Sequence, residues 1–459
     1  MKKNKFVLAI VLSFIIVLGL SITPNKETSF LNFFNGSYIY LLLLIVIIPF
    51  INNIETKDKR IKIASLILAI IIALIDVIGR SLNIYEDLSL LYSSVGLIIA
   101  NLIRFMGIFT LVFNVLKYIL DKLINNKYIA KIKFKLNKKT FFLIWLVIFL
   151  LWIPYLLMTY PGILSIDSIK QIEQAIGATS WTNHHPVFHT LIISVFVNLG
   201  KSISSLSLGV LFYSIFQMIA MSGIFAYTIY YLLKKNTNKY LIILISIFFA
   251  LFPVNGLYSV TMWKDIMFGG VVLLLTITIS KLLDNPEDFF IKKRNYIYLV
   301  ILTLLTYLLR NNGFYVLIIT LIVFIIVMRN YRRYFIVLLM FIFAFNLFYK
   351  GPVFEYFNIK EGSVREMLSI PSQQLARVEK KHHNEMSKDE IEAIEKFFIN
   401  KNMLIGEYYN PRESDDVKRR INEEYFAENK KEFIKLWFSN LRKYPLDYVE
   451  SFLMNNYGY

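Results

Sequence analysis

The chain has 459 residues, 56% of them hydrophobic, and no cysteine, which excludes disulfides and thiolate metal centres. A mean hydropathy of +0.55, with repeated apolar runs of roughly 18 residues or more, excludes a water-soluble domain as the main body. The formal charge of +18 is strongly basic, but its distribution ties it to membrane orientation and away from nucleic acid.

Residues 6–22 form the first apolar run, behind Lys2, Lys3 and Lys5. It lacks a small-residue cleavage site and more runs follow, so it reads as a retained helix and not as a signal peptide. Further spans are expected at 38–54, 61–78, 91–120, 141–160, 206–233, 240–257, 266–283, 296–309, 314–328 and 334–349. The expected fold is therefore all-α: a polytopic transmembrane helical bundle of about eleven spans with its N-terminus inside.

Orientation follows from the basic loops: Lys57, Lys59, Arg60 and Lys62; eight lysines from Lys117 to Lys139; Lys234, Lys235 and Lys239; Lys281, Lys292, Lys293 and Arg294; Arg329, Arg332 and Arg333. Of 32 basic residues before residue 350, 25 then fall on the cytoplasmic side. This assignment requires the short apolar stretch 186–199 to lie along the outer interface as a juxtamembrane helix. From residue 350 onward 18 basic and 19 acidic residues nearly cancel, marking a domain boundary. The expected division is an N-terminal four-helix membrane region (1–140), a membrane core (141–349) with an outer loop at 161–205, and a mostly helical extracytoplasmic domain (350–459). In the last, Ser387 and Glu390 form a capping-box pattern opening a helix through Phe398. Ser414 is expected to cap a longer helix whose apolar stripe of Val417, Ile421, Phe426, Phe433, Leu436 and Trp437 packs on the membrane domain. The chain stops at Tyr459 as 449–454 begins another apolar stretch, which reads as a fragment or a truncated reading frame.

Residues suited to chemistry fall on the outer side. Asp167 follows the Pro161-Gly162 break at a span end. It reads either as the cap of a following helix or as a carboxylate that takes a proton from a hydroxyl or holds a divalent metal. His184, His185 and His189 are three of the five histidines in the chain. Helical spacing would put His185 and His189 on one face, for substrate contact or a metal. Lys264, Asp265, Arg310 and Asn311 lie at the outer ends of later spans; the two cations are suited to gripping a phosphate, or else pair locally and snorkel. Asp76 and Arg104, in neighbouring spans, are expected to pair with each other.

The order of a span, a Pro-Gly break, Asp167, a short helix, His184-His185-Pro186, an apolar interfacial helix and a long span ending at Lys234-Lys235 resembles the start of the GT-C superfamily of integral-membrane glycosyltransferases. The resemblance covers roughly 143–349. It implies a polyprenyl-phosphate-linked sugar as donor, a cell-envelope glycan, lipid or protein as acceptor, and transfer to an acceptor hydroxyl on the extracytoplasmic face of a multi-pass cell-membrane protein. Asp167 matches the catalytic acid, and His184, His185 and Pro186 match the basic-Pro element. His184, His185, His189, Lys264, Asp265, Arg310 and Asn311 are then expected to bind substrate. Many members carry a second acid beside the first, whereas Asp167 is followed by Ser168; a divalent metal is left open. The rival class is a transporter or flippase for a lipid-linked or anionic substrate, with Asp76, Arg104, Asp265 and Arg310 lining its path.

Overall fold

The structure is a computed structural model that describes residues 2–28, 30–54, 56, 58–125, 136–399 and 403–457. Lys57, Lys127, Lys131, Lys133 and Lys135 of the basic loops lie outside the described residues. Among the described residues helix dominates, and one two-stranded sheet pairs β1 (Ile163–Leu164) with β2 (Thr261–Met262).

Side-chain caps open the apolar helices where the sequence changes from polar to hydrophobic. Asp58 accepts from the Arg60 amide, Asn137 and Thr140 close a reciprocal box, and Ser205 and Asn238 accept from the amides of Leu208 and Tyr240. Among the described residues seven helices are long and apolar enough to cross a membrane, so the protein is a membrane-embedded helical protein. An eighth span results if Lys239–Leu251 and Pro253–Ser259, bent by 48°, are taken as one. The bend sits where Phe252 is extended and Pro253 offers no amide to the preceding turn. About eleven spans were expected from the apolar runs. The difference of three arises because Ile39–Asn53 and Gly313–Val327 have 15 residues each and Lys293–Leu309 has 17, about 22 to 26 Å of helix against a hydrocarbon core of about 30 Å.

The chain divides into two compact units, one comprising Met1–Tyr128 with Val364–Tyr459 and the other Ile129–Ser363. This grouping differs from the three consecutive segments expected from charge. In the first unit the Lys59–Tyr85 and Val95–Asn125 helices share a partly buried ion pair: Arg104 grips Asp76 through Nε and Nη2 at 2.6 and 2.9 Å, and its Nη1 reaches the Ile22 carbonyl at 3.0 Å. The C-terminal segment packs against the Tyr85 end of the same Lys59 helix. Glu450 accepts from the Leu88 amide at 2.8 Å, and Met454 packs on Leu82 and Leu88.

The C-terminal segment has its own core, and two expectations change there. Ser387 and Glu390 do form a capping box, but the helix is Lys388–Glu395, ending before Phe398. The long helix expected after Ser414 is three pieces, Asp415–Lys418, Glu423–Glu428 and Lys430–Lys443. It breaks because Ile421 bridges to Phe398 and Asn422 caps a new start. The apolar stripe packs inward on Leu375, Val378, Ile394 and Phe397 of the same segment. Short amphipathic pieces can close a core among themselves, so the stripe does not need a second surface.

In the second unit the 186–199 stretch is part of the helix Val187–Ile203. It lies close against Leu206–Lys234: a Cβ at Gly209 would stand 2.6 Å from the Val197 Cα, so only glycine fits. Trp152, Ile148, Met218 and Phe225 fill the core between Lys138–Met158 and Leu206–Lys234.

Candidate functional site

The pairing of β1 with β2 builds the site. Gly162 turns the chain with φ +148°, a conformation L side chains rarely adopt, and the space beside it is taken by the Ser214 hydroxyl. The strands run parallel, with Ile163 opposite Thr261 and Leu164 opposite Met262, so the helices that follow them start side by side. Ile166–Ala175 opens with a Ser165–Ser168 capping box, and the Ser168 hydroxyl also donates to the Met262 carbonyl, locking the two starts together. The helix Lys264–Asp284 opens directly after β2 and Trp263. Two helix N-termini at one end of one small sheet favour negative charge there.

Into this position the first turns place Asp167 and Lys264. The Lys264 Nζ donates to Asp167 Oδ2 at 2.6 Å and approaches His185 Nδ1 at 3.4 Å, while His185 Nδ1 lies 3.8 Å from the same carboxylate oxygen. The Asp167 side chain is 35% exposed, Lys264 17% and His185 4%, a gradient from an open carboxylate to a closed imidazole. Burial works against the Asp167 charge, but the hydrogen bond and charge of Lys264, with His185, outweigh it and hold the carboxyl below its usual range. Burial and the Lys264 charge push His185 down to about 4, so it is neutral near pH 7. Because an ammonium donates to Nδ1, the imidazole proton sits on Nε2, which is buried with no hydrogen-bond partner among the described residues. The site thus contains a fixed carboxylate, a shared cation and one unused N–H donor.

The other expected residues divide into neighbours and scaffold. Asp265 pairs with Arg310 and not with Lys264, and the Arg310 guanidinium stacks 5.5 Å from the Phe268 ring centre. His184 is exposed, with its ring edge-on to His185 at 4.5 Å. Asn311 donates to the Asn183 carbonyl at 2.8 Å and so holds the histidine turn, which the Thr182–Lys360 bridge holds from the other side. His189 does not share a helix face with His185, because Pro186 caps the helix between them. It is wholly buried: Nδ1 meets Gln171 at 3.1 Å and Nε2 meets the Tyr213 hydroxyl at 2.7 Å. Tyr213 continues to Gln217, whose amide donates to the carbonyls of Tyr258, Ser259 and Thr261. This polar chain through the core braces β2 and was missed in the sequence, where Gln217 in an apolar span was its one visible sign.

A divalent metal does not fit this donor set. Asp167 and His185 are two ligands with the Lys264 ammonium already between them, and no group of three or more His, Asp or Glu gathers among the described residues. Beside the cluster an apolar cleft of about 410 Å³ runs between helices, lined by Trp152, Met221, Phe225 and Ile266, with Trp263 and Asp265 bringing it to the charged residues. A smaller polar cavity of about 140 Å³ is bordered by Asn183, Asn311, Tyr307 and Lys350.

No curated protein and no solved structure matches the chain. One family model matches, over residues 176–459, a stretch that includes His184, His185, Lys264, Asp265, Arg310 and Asn311 and begins after Asp167. That match spans more than half of the sequence, and the protein therefore belongs to the family of unknown function DUF6020.

Proposed function

We propose that the protein is a membrane glycosyltransferase of the GT-C type that moves a sugar from a polyprenyl-phosphate carrier to an acceptor hydroxyl, with Asp167 as the base. The observation that carries this reading is the Asp167–Lys264–His185 cluster at the paired starts of two helices, next to an apolar cleft between membrane helices. A lipid carrier suits the cleft, and its phosphate suits the cations at the cleft's charged end.

The reaction is one displacement. The acceptor oxygen forms a bond to the anomeric carbon, the bond from that carbon to the phosphate oxygen breaks, and the electron pair leaves with the polyprenyl phosphate. The acceptor proton goes to Asp167, and the anomeric configuration inverts. A carboxyl held below its usual range remains ionised to receive that proton, and it is a sufficient base because the hydroxyl becomes acidic only as its bond to carbon forms. The arriving phosphate draws on Lys264, and on Arg310 after it exchanges Asp265, which frees Asp167 for the hydroxyl. His185, through Nδ1, helps to position the Lys264 ammonium. The acceptor is a cell-envelope glycan, lipid or protein.

The face of the membrane is part of the proposal. Basic Lys59, Arg60 and Lys62 lie at one end of the 27-residue Lys59–Tyr85 helix, and the C-terminal segment packs at the other, about 40 Å away. This supports an extracytoplasmic C-terminal segment. Lys264 and the basic Lys281 end of its helix are likewise at opposite ends, which supports an extracytoplasmic active site.

The test is transfer of label from a panel of polyprenyl-phosphate sugars to membrane acceptors in proteoliposomes, comparing wild type with Asp167→Asn. A folded Asp167→Asn protein should lose about 10²- to 10⁴-fold in rate. Transfer that is unchanged by the substitution overturns the assignment of the base. The transporter reading draws on the bent pair at Phe252 and would show as carrier translocation without transfer.

A further inference from the structure

The Ile129–Ser363 unit holds a second charged cleft, of about 500 Å³, where the end of Leu206–Lys234 meets the end of Lys264–Asp284 and the start of Lys293–Leu309. Lysine and arginine outnumber acids in its lining. Two of the cations are neutralised, Lys235 by Asp284 and Lys292 by Asp288. Lys234, Lys281 and Arg294 remain. Lys281 lies over the rings of Tyr227 and Tyr231, 4.8 and 5.4 Å from their centres, and donates to the Tyr227 hydroxyl. Lys234 and Arg294 are exposed and have no ion-pair partner among the described residues.

Three unneutralised cations around one cleft call for an anion of more than one negative oxygen. What selects the anion is the surface next to it. Tyr227 also borders an apolar cleft of about 410 Å³, lined by Phe142, Trp145, Ile219, Ile224 and Leu274, on the sides of helices that cross the membrane. A basic pocket and a hydrocarbon groove thus meet at one tyrosine, an amphipathic side chain suited to the membrane–water boundary.

We propose that this double cleft binds an anionic phospholipid, with its phosphate on Lys234, Lys281 and Arg294 and an acyl chain along the Trp145 groove. The site is at the far end of the Lys264–Asp284 helix from Lys264. Twenty-one residues span about 31 Å, so the lipid belongs to the leaflet opposite the Asp167 cluster. The inference stands on this cleft alone and does not depend on the glycosyltransferase reading.

The experiment titrates the full chain, in uncharged detergent, with dye-labelled phosphatidylglycerol and with phosphatidylcholine carrying the same dye. Wild type should prefer phosphatidylglycerol. The double variant Lys234→Gln/Arg294→Gln should weaken that lipid about tenfold or more, while a charge-matched Lys293→Gln/Arg329→Gln protein keeps it. Gly223→Leu tests the groove without changing charge. A Cβ there meets only Trp145, at 3.7 Å, so the longer side chain extends into the groove and should also weaken binding. Absence of a headgroup preference, equal loss in the charge-matched control, or unaltered affinity in Gly223→Leu overturns the proposal. Displacement of the labelled lipid by millimolar inorganic phosphate would assign the cations to a soluble anion and overturn it as well.

Discussion

Asp167, His185 and Lys264 show how much of a site single residues can announce. Each was legible as a polar side chain at the edge of an apolar run, but their partners were not. Lys264 was read as a cation that grips a phosphate or else pairs locally with Asp265; its ammonium instead reaches across 97 positions to Asp167 because backbone pairing puts the two helix starts together. Asn311 and His189 were read as substrate contacts; Asn311 ties down a turn and His189 is enclosed in a core hydrogen-bond chain. The residue scale also yields a pH prediction. His185 titrates near 4 when folded, below its ordinary 6.5, and it faces Lys264, Asp167, His184 and Lys170. Between pH 6.5 and 4 the unfolded chain therefore takes up a proton that the folded chain refuses, and stability falls as pH falls through that window. His185→Asn should flatten this acid slope, seen as a smaller loss of Tm from pH 7 to pH 4.5. An equal slope in both proteins would remove His185 as its source.

At the scale of elements, the pair of two-residue strands is the smallest feature with the largest effect. Two residues carry no alternating pattern long enough to read, so β1 and β2 were invisible beside the spans they join. Gly162 is the residue on which the pairing turns. Alanine there would meet the Ser214 hydroxyl and would have to adopt φ +148°. Gly162→Ala should lower unfolding stability by about 1–3 kcal/mol and shift Asp167 away from Lys264. The expected signature is a lower Tm together with reduced transfer, and a variant as stable as wild type would mean that the turn tolerates a side chain. The caps behaved differently. Ser387 with Glu390 was legible because a capping box is local, whereas the breaks after Ser414 come from a bridge between Phe398 and Ile421.

For the whole molecule, charge is the organising quantity. In the unit formed by Met1–Tyr128 and Val364–Tyr459, fully buried Arg377 joins Glu450, approaches Asp447 at 3.4 Å and donates to the Tyr409 hydroxyl and the Glu86 carbonyl. Lys381 and His382 complete the network on the same two acids. Removing the central cation leaves Glu450 buried beside the weaker Lys381 contact, so Arg377→Met should cost about 3–5 kcal/mol, measured as a lowered unfolding midpoint in detergent. A cost below 1 kcal/mol would show that Lys381 alone compensates. The basic loops make a separate prediction about orientation. The chain has no cysteine, so single cysteines report cleanly. Thr179→Cys should react with a membrane-impermeant maleimide in intact cells, and Glu287→Cys only after permeabilisation, since both positions are exposed. The reverse pattern would invert the proposed topology.

The sequence by itself determined that this is a helical membrane protein, where most of its helices run, and which few residues stand at their ends with chemical capacity. Hydropathy, caps and basic loops are properties of neighbouring residues, and the solvent reads them one segment at a time. Tertiary structure alone decided which carboxylate holds Lys264, which histidine is open and which is enclosed, and that the C-terminal segment folds with the N-terminal helices. Those outcomes depend on contacts between distant parts of the chain, where a backbone pairing or a helix crossing fixes distances that no local pattern encodes.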